Sequence, residues 1–496
     1  LYKSKLLSFI SGNAYSIAVT VLVMVFVVFK IPHLSLPYYW DEAWVYGPAI
    51  RMMEAKGLSL LPDALPVYYT RGHPLFFHFL GAAWLKIFGN SVTVSHLFPL
   101  LVSVALIFLV YLFGRDIFQS AQAGFLAAFV LVLQPVFLAQ SGLLLPEVLL
   151  AFLSLLALYF FLKEKYGLYL LTASLALLTK ESGVILVATV SAWTLMDVYG
   201  HRNRFAAGPW IRRLGIAALP VVPLLVFLFI QKRMNGWFLF PEHLDSISFS
   251  IPVMLNKLER YAAYVFIYQG RNLLTGMVLL SIGLFALRKK QVEPVIYLLG
   301  LHVVLFILFS SLNFYSNRYM VFVIPAWILV FSYSITRIMP RWILVLLLLA
   351  VAGIQSHFIK KHSSSDHDLG YINSVKSYRA AVDYCVANHW QEKKLFASFL
   401  MADCLTNPYA GYVRKEEVFK MVTGKSTGQE EYYLFNDVEN KQEAQQVKDS
   451  LHLELLMRFE IGQAWTEICI NQRITNEKNE LTNNKKQDFS HSLIRN

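Results

Sequence analysis

The chain has 496 residues, of which 56% are hydrophobic and only 15% charged. Its mean hydropathy is +0.49. A soluble chain carries about 25% charged residues, and apolar runs near the roughly 20-residue length of a bilayer crossing recur along the sequence. A soluble globular fold is excluded, and a polytopic α-helical membrane protein is expected. The net charge of +12 implies no nucleic acid partner. The basic residues cluster in short turns between apolar runs, where they set orientation in the bilayer.

Lys3 and Lys5 precede the first apolar run and argue for a cytoplasmic start. No small-residue cleavage site follows the run over 17–29, so it reads as a retained anchor spanning about 14–30. A long loop over 31–92 follows, with a short helix expected over 43–55 and closed by Gly57. The stretch 74–88 (PLFFHFLGAAWLKIF) is apolar but short, and it carries His78 and Lys86. It reads as an interfacial helix on the external face. Further spans are expected over 93–113, 121–139, 144–162, 167–180, 183–199, 213–230, 268–287, 294–311, 319–337 and 342–359, which makes about 11 with the first.

In this topology the inner turns carry Arg115, Lys163, Lys165, Arg202, Arg204, Arg212, Arg213, Arg288, Lys289, Lys290, Arg337 and Arg341. The short outer turns carry only Lys180 and Arg318. Such an excess of basic residues on one side marks the cytoplasmic face. It puts the loops 31–92 and 231–267, and the whole C-terminus, outside.

Near residue 363 the composition turns polar. Asn373 or Ser374 can cap a helix reaching about residue 388. LFASFL (395–400), YYLFN (432–436), and the stretches 453–460 and 464–470 read as strands, with a helix over 441–450 between them. A small α/β domain is expected over 363–470, after a membrane domain over 1–362 and before a polar, disordered tail over 471–496. Cys385, Cys404 and Cys469 all lie in this C-terminal part, without metal-site spacing. Three cysteines allow at most one internal disulfide, and buried free thiols are the simpler reading.

Three groups of residues can carry chemistry. Asp41 and Glu42 stand between Trp40 and Trp44, just beyond the first span. A carboxylate at the bilayer surface can act as general base on a hydroxyl. The plain alternatives are a solvated loop acid pair, or a helix N-terminal charge favoured by the dipole. Glu147 opens the fourth span after LLLP, and acids beside spans are costly enough to be functional candidates by default. N-terminal capping is the plain alternative here. Arg71, His73, His96, Lys180 and Arg318 form a set of cations on the same outer face. For Lys180 the plain alternative is a self-satisfied pair with Glu181, and for Arg318 it is headgroup anchoring. Asp41, Glu42 and Glu147 can also bind a divalent ion, so metal need stays open.

Chemistry on the outer face has no pool of nucleotide sugars to draw on. A transferase there would use a lipid-linked donor whose leaving group is a phosphate. Departure of that phosphate needs positive charge where negative charge develops, and attack by an acceptor hydroxyl needs a base.

The order WDEA-W, RGHPLFFHF…KIFG, GLLLPEVLLAF, LLTKESG and NRYMVFVIPA resembles the GT-C glycosyltransferases. The nearest group is the protein O-mannosyltransferase and aminoarabinose-transferase type of glycosyltransferase family 39, over roughly residues 14–340. The resemblance implies a polyprenyl-phosphate-sugar donor and anomeric inversion by direct displacement. It implies Asp41 as the base with Glu42 its partner, and Glu147 near the acceptor or assisting the base. It implies His73 near the donor phosphate, with Lys180 and Arg318 at basic positions. Relatives more often carry Asp at position 147, Pro after Pro74 and Arg near position 96, where this chain has Glu147, Leu75 and His96.

The function expected is that of a glycosyltransferase in a bacterial inner membrane, acting on a protein, lipid or glycan acceptor on the periplasmic side. Its acids and cations are expected to converge around one outward-opening cavity. A flippase of lipid-linked sugars is the rival reading, since intramembrane charge and several prolines fit it as well. A membrane-anchored binding protein is a third.

Overall fold

Two compact units divide the chain: Leu1–Ser35 with Pro48–Lys361, and Leu36–Gly47 with His362–Asn496. The computed structural model describes residues 2–200, 207–289, 291–360, 365–438 and 441–474. Arg202, Arg204, Lys290 and the expected disordered residues from 475 onward lie outside the described residues.

The first unit is helical. Asn13–His33, Val92–Asp116, Pro294–Leu312 and Trp342–Ile359 are each long and apolar enough to cross a membrane. Two bent pairs, Trp210–Ala218 with Val221–Asn235 and Ile251–Phe266 with Arg271–Leu287, bring the number to six among the described residues if each is one span. The protein is therefore a multi-pass membrane protein. All eleven segments expected from the sequence fall on helix, but several are broken. The stretch 121–139 splits before Pro135, and 213–230 bends by 42° before Val221, just after Pro220. Proline lacks the N–H that a continuing helix needs and disfavours the helical region for the residue before it. The last turns of 319–337 are preceded by a 3-10 stretch, Asn317–Phe322.

The expected outer loop 231–267 is not irregular throughout. It contains two helices, Pro241–Asp245 and Ile251–Phe266, the second bent by 84° from the helix that follows. Gln269 and Gly270 both take positive φ at that bend. Asn256, Lys257, Glu259 and Arg260 interrupt its apolar sequence, which hid it from a search for spans.

Small residues let the helices Val92–Asp116 and Ala121–Val132 cross closely. A Cβ on Gly114 would lie 2.4 Å from the Gly124 backbone, so neither glycine tolerates a side chain. Ser91 and Ser120 cap these two helices by accepting from the N–H groups of Val94 and Ala123.

The second unit is a five-stranded mixed sheet with helices. Its strands are β1 (Leu395–Ala397), β2 (Val422–Thr423), β3 (Tyr432–Asn436), β4 (Glu454–Ile461) and β5 (Ala464–Ile470), in the order β2-β1-β3-β5-β4. β1 runs parallel to β2 and β3, while β3–β5 and β4–β5 are antiparallel. Gly462, with φ of 63°, makes the tight turn between β4 and β5. The helix Lys441–Leu451 packs Ala444, Val447 and Leu451 against Phe396, Tyr433, Phe435 and Cys469 of the sheet.

Two expectations for this unit change. The helix Tyr371–Ala387 starts earlier than expected, so Asn373 and Ser374 lie inside it. Ser374 donates to Asp437 at 2.9 Å rather than capping the helix. The run 395–400 is strand only to Ala397, because Leu400 takes φ of 68° and the helix Met401–Thr406 follows. All three cysteines are free and buried, and burial pushes the thiols of Cys385 up to about 12 and Cys469 up to about 11.

The segment Leu36–Gly47 belongs with this second unit, although sequence reading placed it in the membrane part. It is not a plain α-helix. Glu42–Tyr46 forms a π-helical turn, followed by the α-helix Gly47–Lys56.

Candidate active site

Glu147 is the first residue of the helix Glu147–Leu162, directly after Pro146. Lys180 ends the helix Tyr166–Thr179 with extended backbone angles, φ of −160° and ψ of 140°. That break turns its side chain away from the helix it follows. Arg318 lies on the 3-10 stretch Asn317–Phe322. The three side chains meet. Lys180 Nζ donates to Glu147 Oε1 at 3.0 Å, and Arg318 Nε lies 3.5 Å from the same oxygen. All three are buried, with side-chain exposures of 2% for Glu147, 10% for Lys180 and 6% for Arg318. Lys180 and Arg318 also flank the Tyr319 ring, at 4.0 and 5.4 Å from its centroid.

Two cations face one carboxylate here, so these three groups leave an excess of one positive charge. Glu147 Oε2 is buried and has no hydrogen-bond partner among the described residues. Buried charge is tolerated only when paired and hydrogen-bonded. Two buried cations brought to one point are suited to an anion.

Glu181 does not pair with Lys180, as adjacency suggested. Lys180 reaches Glu147, and Glu181 Oε2 lies 2.7 Å from Nδ1 of His73. The 3-10 turn Glu181–Gly183 thus joins the first cluster to a second. In that second cluster the His73 ring lies 4.8 Å from the His243 ring. Arg71 pairs with Glu242 and lies 5.4 Å from the centroid of Phe240. Gly72, with φ of 73°, lets Trp237 and Phe240 approach to where a Cβ would be only 2.9 Å from either. Burial and the neighbouring His73 push His243 down to about 4, so it is neutral at neutral pH.

Glu181, Glu242, His243 and Tyr319 were not singled out in the sequence. Glu181 and Tyr319 stood inside recognised motifs. Glu242 and His243 lie in a loop whose composition gave no signal.

Three expected residues are not members of these two clusters. His96 is buried on the helix Val92–Asp116, with Nδ1 2.9 Å from the Leu34 carbonyl oxygen, which suits a structural histidine. Asp41 and Glu42 belong to the second unit. Glu42 is fully buried and accepts from the Tyr39 N–H at 3.1 Å. Asp41 is half-buried, and its Oδ1 accepts from Trp44 Nε1 at 3.0 Å. Among the described residues, no group of three or more His, Cys, Asp or Glu side chains is arranged to hold a metal ion.

The family described as dolichyl-phosphate-mannose-protein mannosyltransferase matches residues 72–227, a stretch that contains His73, Glu147, Lys180 and Glu181. No curated protein sequence matches the chain. Among solved structures, the chain is similar to ArnT from Cupriavidus metallidurans in the apo state. That match has a TM-score of 0.57 and 15% identity, over 93% of this chain and 99% of that one. It is also similar to the same protein bound to undecaprenyl phosphate, with a TM-score of 0.56 and 15% identity over 92% of this chain and 98% of that one. At that identity the likeness is one of fold.

Proposed function

This chain has the GT-C fold of membrane glycosyltransferases, and we propose that it moves a sugar from a polyprenyl-phosphate-linked donor to an acceptor hydroxyl. The reaction takes place on the extracytoplasmic face of a bacterial inner membrane, with inversion at the anomeric carbon. The observation that carries this reading is the buried cluster in which Lys180 and Arg318 converge on one carboxylate oxygen. The undecaprenyl phosphate bound by the ArnT relative supports the choice of donor.

Asp41 takes the proton from the acceptor hydroxyl. The acceptor oxygen attacks the anomeric carbon as the bond from that carbon to the phosphate oxygen breaks. The electron pair of the broken bond leaves on polyprenyl phosphate, which gains one negative charge. Lys180 and Arg318 receive that developing charge, and Glu147 holds their ammonium and guanidinium groups in place. Arg71 and His73 bind the same phosphate once it draws them from Glu242 and Glu181. Preorganised cations in a site shielded from water are worth far more than in solution. His96 is left out of this set because its ring nitrogen serves the Leu34 carbonyl.

The test is purified protein in detergent with a polyprenyl-phosphate sugar and a panel of candidate acceptors. A transferase releases polyprenyl phosphate although no vesicle is present. A flippase releases none, and that result would reject the proposal.

A further inference from the structure

The acid-bearing segment Leu36–Gly47 is built into the C-terminal unit by contacts from residues far along the chain. The Tyr38 N–H donates to the Ala410 carbonyl at 2.8 Å. The Tyr412 hydroxyl donates to the Tyr38 carbonyl at 3.1 Å, a contact between residues 374 apart in sequence. Asn407 Nδ2 donates to the Ala43 carbonyl at 3.4 Å. The Tyr39 ring lies 6.0 Å from that of Tyr371 and 6.3 Å from that of Tyr378. Glu42, within the same segment, is fully buried.

Asp41 is only half-buried, and its direction is set by other contacts. Its carboxylate accepts from the Trp44 indole N–H. Trp44 packs edge-on against Phe399 at 5.4 Å, and Trp40 does the same at 5.5 Å. Phe399 follows β1 and is 44% exposed, too open to be core. Its place is fixed by Leu400, whose φ of 68° is unusual for a side-chain-bearing residue. Trp40 takes φ of 50°, so the chain is strained on both sides of this aromatic contact. A half-exposed phenylalanine gripped by the two tryptophans that bracket an acid has little value as packing. Its value lies in orientation.

We infer that Phe399 is a positioning residue for Asp41, acting through Trp44. The ring holds the indole, and the indole N–H holds the carboxylate's rotation. This rests on the reading of Asp41 as the base. Displacement of a reacting group by about 1 Å costs on the order of 100-fold in rate, so losing the ring lowers turnover without touching donor affinity. The C-terminal unit then sets the direction of the proposed base.

The experiment measures kcat and donor KM on full-length purified protein for wild type, Phe399→Ala, Phe399→Tyr, Trp44→Phe, Asp41→Asn and the double variant Phe399→Ala/Asp41→Asn. Thermal unfolding is recorded for each. Phe399→Ala is expected to lower kcat about 10- to 100-fold at unchanged donor KM. Phe399→Tyr, which keeps the ring, stays near wild type. Trp44→Phe keeps the packing but removes the N–H, and falls like Phe399→Ala; it decides the matter if Phe399→Ala unfolds. The double variant is no slower than Asp41→Asn alone, since groups acting through one another are not additive.

A wild-type kcat in folded Phe399→Ala or in Trp44→Phe, or a further fall in the double variant, overturns the inference and leaves Asp41 as base. A wild-type kcat in Asp41→Asn removes the base reading itself, and the inference with it.

Discussion

Glu147 was legible from sequence alone, because an acid at the start of an apolar run is costly and needs a reason to be there. Its partners were less legible. Lys180 and Glu181 are neighbours in sequence, but the extended backbone at Lys180 sends their side chains to different acids and bases. Charge counting gives a test at this scale. Replacing Lys180 by Met leaves Glu147 beside Arg318, one charge of each sign. Replacing Glu147 by Gln removes the carboxylate that both Lys180 and Arg318 face. Leaving a buried charge uncompensated costs about 3–5 kcal/mol, so Glu147→Gln is expected to be the more destabilising change by thermal unfolding in detergent. Equal losses for the two variants would mean that Glu147 does not hold the cations together.

At the scale of elements, the strands at 432–436 and 464–470 were readable because their β-branched and aromatic residues pack a local sheet face. The π-helical turn Glu42–Tyr46 was not, since its shape comes from contacts with distant residues. Gly47 closes that turn, and a Cβ there would lie 2.5 Å from both the Glu42 carbonyl oxygen and the Tyr38 ring. Gly47→Ala is therefore expected to lower turnover and thermal stability together, where a glycine in an open helix would gain stability on the same change. A more stable Gly47→Ala protein would show that the turn relaxes freely.

The helix Met401–Thr406 carries a second test. Burial pushes the Asp403 carboxyl up to about 6. An acid whose folded pKa lies above its unfolded value near 3.9 favours folding when protonated. That contribution is present below about pH 4 and is lost as pH rises through about 6. Asp403→Asn is expected to raise stability at pH 7.5 by on the order of 1 kcal/mol, after allowance for solvent screening, and to change little at pH 4. Equal effects at both pH values would mean that Asp403 is ionised in the folded protein at pH 4.

For the whole molecule, composition alone identified a membrane protein, and five short motifs in order pointed to its fold. What sequence could not reveal is that twelve residues from the first loop fold with the C-terminal unit, because such a contact leaves no periodic trace. It follows that deleting 363–496 strips the first-loop acids of their support. Truncated protein is expected to bind polyprenyl-phosphate donor and to transfer nothing. Loss of donor binding on truncation would instead favour a binding protein whose external part does the work. Mass spectrometry of glycans from a strain lacking the protein identifies the acceptor.

The division of labour between base and cations is tested most directly by kcat and donor KM measured side by side for wild type, Asp41→Asn and Lys180→Met. Asp41→Asn is expected to lower kcat by about 10²- to 10⁴-fold at unchanged donor KM, while Lys180→Met raises the donor KM. Near-wild-type turnover in Asp41→Asn would contradict the proposed mechanism.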